Sequence, residues 1–198
     1  MLRLSRCAPL LPAAVALILA ANEAQARYEG NFNLFVGQKW LDQGDWAPVD
    51  QQPQIGLMLA FGEERAAVHF SIDVLASKDD SGVDAPTLDG PVRGSTTEFA
   101  IGVRKVWGRG VTRPHLGAGA NVVRVTEDRY GPSGLVQSKD RGYGVWVDAG
   151  VSWRLAGHLN LGIEGRYCAA NVDLGAALEV RDVSAGGIQV GLLVGYGW

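Results

Sequence analysis

The strongest constraint in this sequence is a period of two along its C-terminal segment, residues 187–198. Ile188, Val190, Leu192, Val194, Tyr196 and Trp198 alternate there with Gly187, Gln189, Gly191, Leu193, Gly195 and Gly197. Successive side chains of a β-strand point to opposite faces, so this period separates the two sets. The segment therefore predicts a strand with one apolar face and one nearly bare face.

Seven further segments repeat this period. They cover residues 31–40, 55–61, 68–74, 98–104, 115–122, 143–155 and 159–167. The third is sharply two-faced, with His69, Ser71 and Asp73 between apolar neighbours, whereas Phe35 and Gln38 interrupt the first. Eight segments of this kind indicate a chain built from strands.

The connections between the eight segments alternate in length. In chain order, with residues 187–198 as the eighth segment, long polar stretches follow segments 1, 3, 5 and 7, at residues 42–52, 77–95, 127–141 and 172–185. Short connections follow segments 2, 4 and 6, at residues 62–65, 108–112 and 156–158. Transmembrane barrels have short turns at one end and long loops at the other. We therefore predict an all-β fold, an eight-stranded antiparallel up-and-down transmembrane β-barrel with both termini at the end of the short turns.

The N-terminal segment, residues 1–26, has the order of a cleaved signal peptide. Arg3 and Arg6 precede an uncharged apolar run at residues 8–21, and Ala24-Gln25-Ala26 supplies a small-residue cleavage site. The run is shorter than the ~20 residues that span a bilayer as a helix. We expect the barrel domain to occupy residues 27–198, with Cys168 as its one cysteine and no internal disulfide.

The polar face of the strands is predicted to lie inside the barrel. In hydrocarbon every backbone polar group needs a partner, so strands cross a membrane only as a closed barrel whose apolar face meets lipid. An eight-stranded lumen is just wide enough to be filled by side chains, so we expect an interior ion-pair network rather than a pore. Its predicted members are His69, Ser71, Asp73, Glu98, Arg104, His115, Asp148, Arg154, Glu164 and Arg166.

Aromatic residues fall at the ends of the predicted strands. Trp40, Tyr143 and Tyr167 fall at the end with the long connections, and Phe61, Trp107, Trp153, Tyr196 and Trp198 fall at the other. Two aromatic girdles of this kind mark the membrane interfaces of transmembrane barrels.

The C-terminal segment resembles the assembly signal of bacterial outer-membrane β-barrels, which has alternate apolar positions and a terminal aromatic residue. Trp198 stands where that family usually has Phe. Residues 27–198 as a whole resemble the small OmpA-like and OmpX-like barrel domains in strand count and loop pattern. The resemblance implies export to the outer membrane, contact with its lipid and lipopolysaccharide, and insertion by the barrel assembly machinery with Tyr196 and Trp198 in recognition.

Four functions remain open at this point. The first is a structural or surface-interaction role carried by the four long loops, whose sequences specify no extracellular ligand. The second is a conduit for small hydrophobic solutes, as in the OmpW-like barrels, and the third is a lipid A-modifying barrel enzyme. The fourth is a soluble lipocalin-like binder, which would need its apolar face turned inward. The formal net charge of −3 gives no indication of nucleic-acid binding.

One motif bears on the enzyme alternative. His69-Phe70-Ser71 resembles the His-x-Ser pair of the lipid A deacylase barrels, with Asp73 on the same face, but the residues after Ser71 do not match that family. An interior hydrogen-bonding trio is the favoured interpretation, and we predict no catalytic, cofactor or metal site. His69, His115 and His158 lack the spacing of metal ligands.

Overall fold

The computed structural model describes residues 28–64, 66–80, 92–108, 110–131, 134–174 and 181–198. The predicted signal peptide, residues 1–26, lies outside them. The described elements are β1 (Tyr28–Trp40), α1 (Gln43–Trp46), β2 (Gln51–Glu63), β3 (His69–Asp79), β4 (Val92–Val106), β5 (Thr112–Gly131), β6 (Gly134–Leu155), β7 (Leu159–Leu174), β8 (Arg181–Ser184) and β9 (Gly187–Gly197). No helix among these residues is long and apolar enough to cross a bilayer.

The strands form a closed antiparallel barrel. Each strand from β1 to β6 pairs with the next, β9 pairs with both β1 and β7, and the β6–β7 ladder closes the sheet. β8 and β9 are two segments of one eighth strand, since both pair with β7 on either side of Ala185 and Gly186. The predicted eight-stranded antiparallel fold is therefore confirmed.

The two ends of the barrel differ. Both chain ends of the described barrel, the strand ends at Glu63, His69, Val106 and Thr112, and the turn at 156–158 lie at one end, the turn end. The opposite ends of the strands form the loop end. At the turn end the first and last strands are joined by Gly30 N to Trp198 O (3.2 Å) and Trp198 N to Gly30 O (3.0 Å).

The strands extend further toward the loop end than the sequence pattern predicted. Most of the predicted connection at residues 127–141 is instead a β-hairpin, in which Glu127 pairs with Ser138 and Thr126 with Lys139. Residues 172–174 and 181–184 are also paired strand. In the hairpin, polar residues such as Glu127, Asp128 and Ser138 interrupt the apolar alternation, whereas backbone pairing continues, so the pattern of apolar residues underestimates the strand length there.

The burial pattern is inverted relative to a soluble barrel. Along β7, Leu161, Ile163 and Tyr167 are exposed on the outer wall, while Glu164 and Arg166 between them are buried inside. The other long strands have the same apolar outer wall between the aromatic rows, and an apolar outer wall is the reverse of what the lipocalin-like alternative requires.

Candidate functional site

The barrel interior holds a cluster of ion pairs centred on Arg104 of β4. Its guanidinium donates Nη1 and Nη2 to Asp73 Oδ1 and Oδ2 (3.0 and 2.8 Å), and Nε and Nη2 to Asp148 Oδ2 (2.9 and 2.6 Å). Arg166 Nη1 donates to Asp73 Oδ2 at 2.8 Å. All four side chains are buried. Buried charges persist when they are paired in this bidentate way, so the cluster ties β3, β4, β6 and β7 together across the lumen.

His115 and Glu164 extend the central cluster toward the turn end. His115 Nε2 lies 3.2 Å from Glu164 Oε2, and Glu164 Oε1 lies 3.7 Å from Arg104 Nη2. The structure therefore brings six of the ten predicted interior residues into one cluster around Arg104.

Trp146 fills the lumen beside this cluster. Its ring centroid lies 4.2 Å from the Arg166 guanidinium carbon and 5.4 Å from that of Arg104. A Cβ at Gly102 would lie 2.6 Å from Trp146 Cζ2, so the absence of a side chain there makes space for the ring. The sequence pattern placed Trp146 on the polar face of its strand but did not predict that its ring fills the lumen beside the two arginines.

A second ion pair lies closer to the loop end. Lys39 Nζ lies 2.5 Å from Glu98 Oε1, with both side chains fully buried, and also donates to Thr96 Oγ1 and Ala185 O. Gln189 Nε2 donates to the same Glu98 oxygen at 2.8 Å. Glu98 was predicted to be an interior residue, whereas Lys39 was missed. The available signal was its phase, because Lys39 shares a strand face with Asn33 and Gly37.

An apolar cluster closes the lumen at the loop end. Trp46 of α1 is buried at its centre, its Nε1 donates to Ser184 O at 2.6 Å, and Ser184 N donates to Asp45 Oδ2 at 2.9 Å. We call this cluster the loop-end cap; it contains Leu41, Trp46, Val49, Val92, Val123, Val125, Cys168, Ala170, Val172, Leu174, Val183 and Ala185.

A third set of charges lies at the turn end. Glu29 pairs with Arg113 and, at 3.2 Å, with Arg154 Nη1. Arg154 also donates to Asn160 Oδ1 at 3.2 Å, so this predicted interior residue lies apart from the central cluster. A polar cavity lined by these charges, His69 and other residues has about 30 Å³ of free space for water-sized molecules. That volume suits roughly two water molecules, not an open channel.

His69, Ser71 and Asp73 all lie inside the barrel, but they do not form a catalytic relay. Asp73 is held by Arg104 and Arg166, while Ser71 Oγ and His69 Nδ1 have no hydrogen-bond partner among the described residues. A serine nucleophile needs a hydrogen-bonded base that is itself oriented by an acid. The hydrogen-bonding trio favoured from the sequence is likewise not formed.

The aromatic residues lie on the outer wall at both ends. The exposed members are Trp40, Tyr143 and Tyr167 toward the loop end, and Phe61, Trp107, Trp153 and Tyr196 toward the turn end. Trp198 is half-buried, and a Cβ at Gly30 would lie 2.4 Å from Trp198 Cζ2, so the indole lies across Gly30.

Within the described residues, no group of three or more His, Cys, Asp or Glu side chains has the arrangement of a metal site.

The closed eight-stranded antiparallel barrel is the fold of small bacterial outer-membrane proteins. The N-terminal barrel domain of Pseudomonas aeruginosa OprF matches 86% of this chain and 97% of its own with a TM-score of 0.53 and 13% identity. OprG from the same organism matches 87% and 94% (0.53, 16%). Ail of Yersinia pestis, solved with the heparin analogue sucrose octasulfate, matches 87% and 100% (0.54, 9%). Identities this low show a shared fold alone.

Comparison of the sequence with protein-family models gave no match, and comparison with curated proteins gave none.

Proposed function

We propose that this chain is an integral outer-membrane β-barrel protein with a structural or surface-interaction role carried by the four long connections at its loop end. The observation that carries the proposal is that the outer face of the barrel wall is apolar and its inner face is polar. Val190, Leu192 and Val194 are exposed on the outside of β9, while Gln189 is fully buried inside. Exposed apolar surface of this extent is costly in water and favourable in hydrocarbon.

The height of the apolar wall supports this location. On β9 it runs from Ile188 to Tyr196, about 27 Å along the strand and roughly 20 Å along the barrel axis at the usual tilt. Outer-membrane barrels have an apolar band of about 25 Å bounded by aromatic girdles. The loop end then faces the cell exterior, and the turn end, with Tyr196 and Trp198, faces the periplasm and the barrel assembly machinery.

The filled lumen favours a structural role over transport. A conduit for small hydrophobic solutes needs a continuous path, whereas the central ion cluster, Trp146 and the loop-end cap occupy the interior in succession. In planar bilayers we expect no stable conductance steps from the purified protein.

Heat-modifiable migration of the protein in purified outer membranes tests the proposal. A closed barrel resists unfolding in cold detergent, so we expect unheated samples to migrate faster than boiled ones and the protein to sediment with outer-membrane markers. Recovery in the soluble periplasmic fraction, or identical migration before and after boiling, would contradict it.

A further inference from the structure

Two arginines face each other on the outer wall near the loop end. Arg124 of β5 is the cross-strand partner of Arg141 of β6, and both side chains are exposed. Lys139, two residues before Arg141 in β6, lies on the same face opposite Thr126. Directly opposed side chains have Cβ atoms about 4.5–5.5 Å apart, and like charges there destabilise a sheet. The arrangement therefore concentrates positive charge at one place on the wall.

Within the described residues, the charges of this basic patch, Arg124, Lys139 and Arg141, are not paired. Among the described residues, no ion pair includes any of the three. Lys78, which is exposed, and Arg93, which is half-buried, are also basic residues near the loop end but differ in this respect, because Asp80 lies 2.7 Å from Lys78 Nζ and 3.8 Å from Arg93 Nε. Asp80 thus neutralises part of the charge of Lys78 and Arg93. The basic patch keeps its positive charge and can bind an external anion.

The patch borders the apolar wall. Tyr143 lies two residues after Arg141 along β6, toward the barrel middle, and is 81% exposed, and Val145 follows at 62%. Two residues span about 7 Å of strand, which places the arginines just beyond the interfacial girdle, at the depth of lipid head groups.

We infer that the basic patch binds the phosphoryl groups of a phosphorylated saccharolipid of the outer leaflet, the lipid A part of lipopolysaccharide. This inference rests on the proposed outer-membrane function. Guanidinium groups bind phosphate in a bidentate manner, and a phosphate between Arg124 and Arg141 relieves their repulsion. A lipid is favoured over free phosphate because acyl chains attached to the same head group meet the apolar wall at Val145.

The test is native mass spectrometry of the folded protein in a neutral detergent, titrated with bisphosphoryl lipid A, with fully dephosphorylated lipid A, and with inorganic phosphate as a competitor. The test variant is Arg124→Gln with Arg141→Gln. The matched control is Lys78→Gln with Arg93→Gln, which removes the same charge near the same end. We expect the test variant to bind bisphosphoryl lipid A about thirtyfold more weakly than the parent, and the control to stay within about twofold.

Equal binding of bisphosphoryl lipid A by parent and test variant would overturn the inference, as would equal binding of the phosphorylated and dephosphorylated lipids by the parent. Displacement of the lipid by equimolar inorganic phosphate would assign the patch to the free anion and also overturn it. These results leave the outer-membrane proposal standing, because that proposal fails only in the fractionation and migration experiment.

Discussion

The guanidinium of Arg104 and the carboxylate of Asp73 face each other through two parallel hydrogen bonds of 3.0 and 2.8 Å in the middle of the barrel. Asp148 accepts from the same guanidinium, and Glu164 lies near it. This one cation therefore compensates carboxylates from three other strands.

Arg104→Met should strongly destabilise the barrel. The variant keeps most of the side-chain volume but leaves Asp148 and Glu164 buried without their main counter-charge, and breaking a buried pair costs about 3–5 kcal/mol. The check is the free energy of unfolding in urea from lipid vesicles. Lys78→Gln is the control, because its exposed pair with Asp80 contributes about 1 kcal/mol or less. A loss below about 1 kcal/mol for Arg104→Met would contradict the central role of this residue.

Lys39 and Glu98 should show strong energetic coupling. Lys39→Met leaves a fully buried carboxylate unpaired, and Glu98→Gln leaves a buried ammonium, so each single change is expected to cost about 3 kcal/mol or more. The double variant removes both charges and should be at least about 1 kcal/mol more stable than the two single losses added together predict. A double-mutant cycle of unfolding free energies measures this, and simple additivity would show that the pair is not coupled.

Gly30→Ala should weaken the closure between β1 and β9. The added Cβ would lie 2.4 Å from Trp198 Cζ2 and 3.0 Å from Ala60 O, so the indole or the strand must shift. We expect a loss of about 1–3 kcal/mol and slower appearance of the folded band during refolding into vesicles. Gly110→Ala is the matched control, since no atom lies within 4 Å of its Cβ position. If both variants refold like the parent, the packing of Trp198 over Gly30 does not support closure.

Ser71→Ala should leave the acylation of lipid A unchanged in cells that express it. Ser71 Oγ is fully buried and has no base bonded to it in the described structure, and Asp73 is engaged by two arginines. Mass spectra of lipid A from cells with parent, variant and empty vector test this. A deacylated species that appears with the parent and disappears with Ser71→Ala would establish the enzyme alternative.

The sequence predicted which face of its strand each residue lies on better than it predicted which charged residues form ion pairs. A period of two suffices to place Asp148 and Arg166 on one face, because it depends only on strand geometry. Which charges pair depends on register across several strands, and no local pattern contains that information. The pairing of Lys39 could not be predicted for the same reason, since its partner Glu98 lies 59 positions away.

The loop end was the least predictable region. Trp46 lies in a helix too short to show a helical period, and it is buried in a cluster that is completed by residues of β4, β5, β7 and β8. The hairpin above Tyr143 has polar residues on both faces, so its strands carried no apolar signal. The period of two identifies a strand where one of its faces is apolar throughout and fails where polar residues occupy both faces.

The most direct test of the central claim is the environment of the outer wall. Nitroxide labels attached at Val147→Cys and Val190→Cys, in a Cys168→Ser background within lipid vesicles, should show high collision rates with oxygen and low rates with a water-soluble nickel complex. Gln137→Cys, on the exposed hairpin, is the control and should show the reverse. Labels at Val147 and Val190 that are inaccessible to oxygen, or freely accessible to the nickel complex, would show that these residues do not face lipid and would contradict the membrane account.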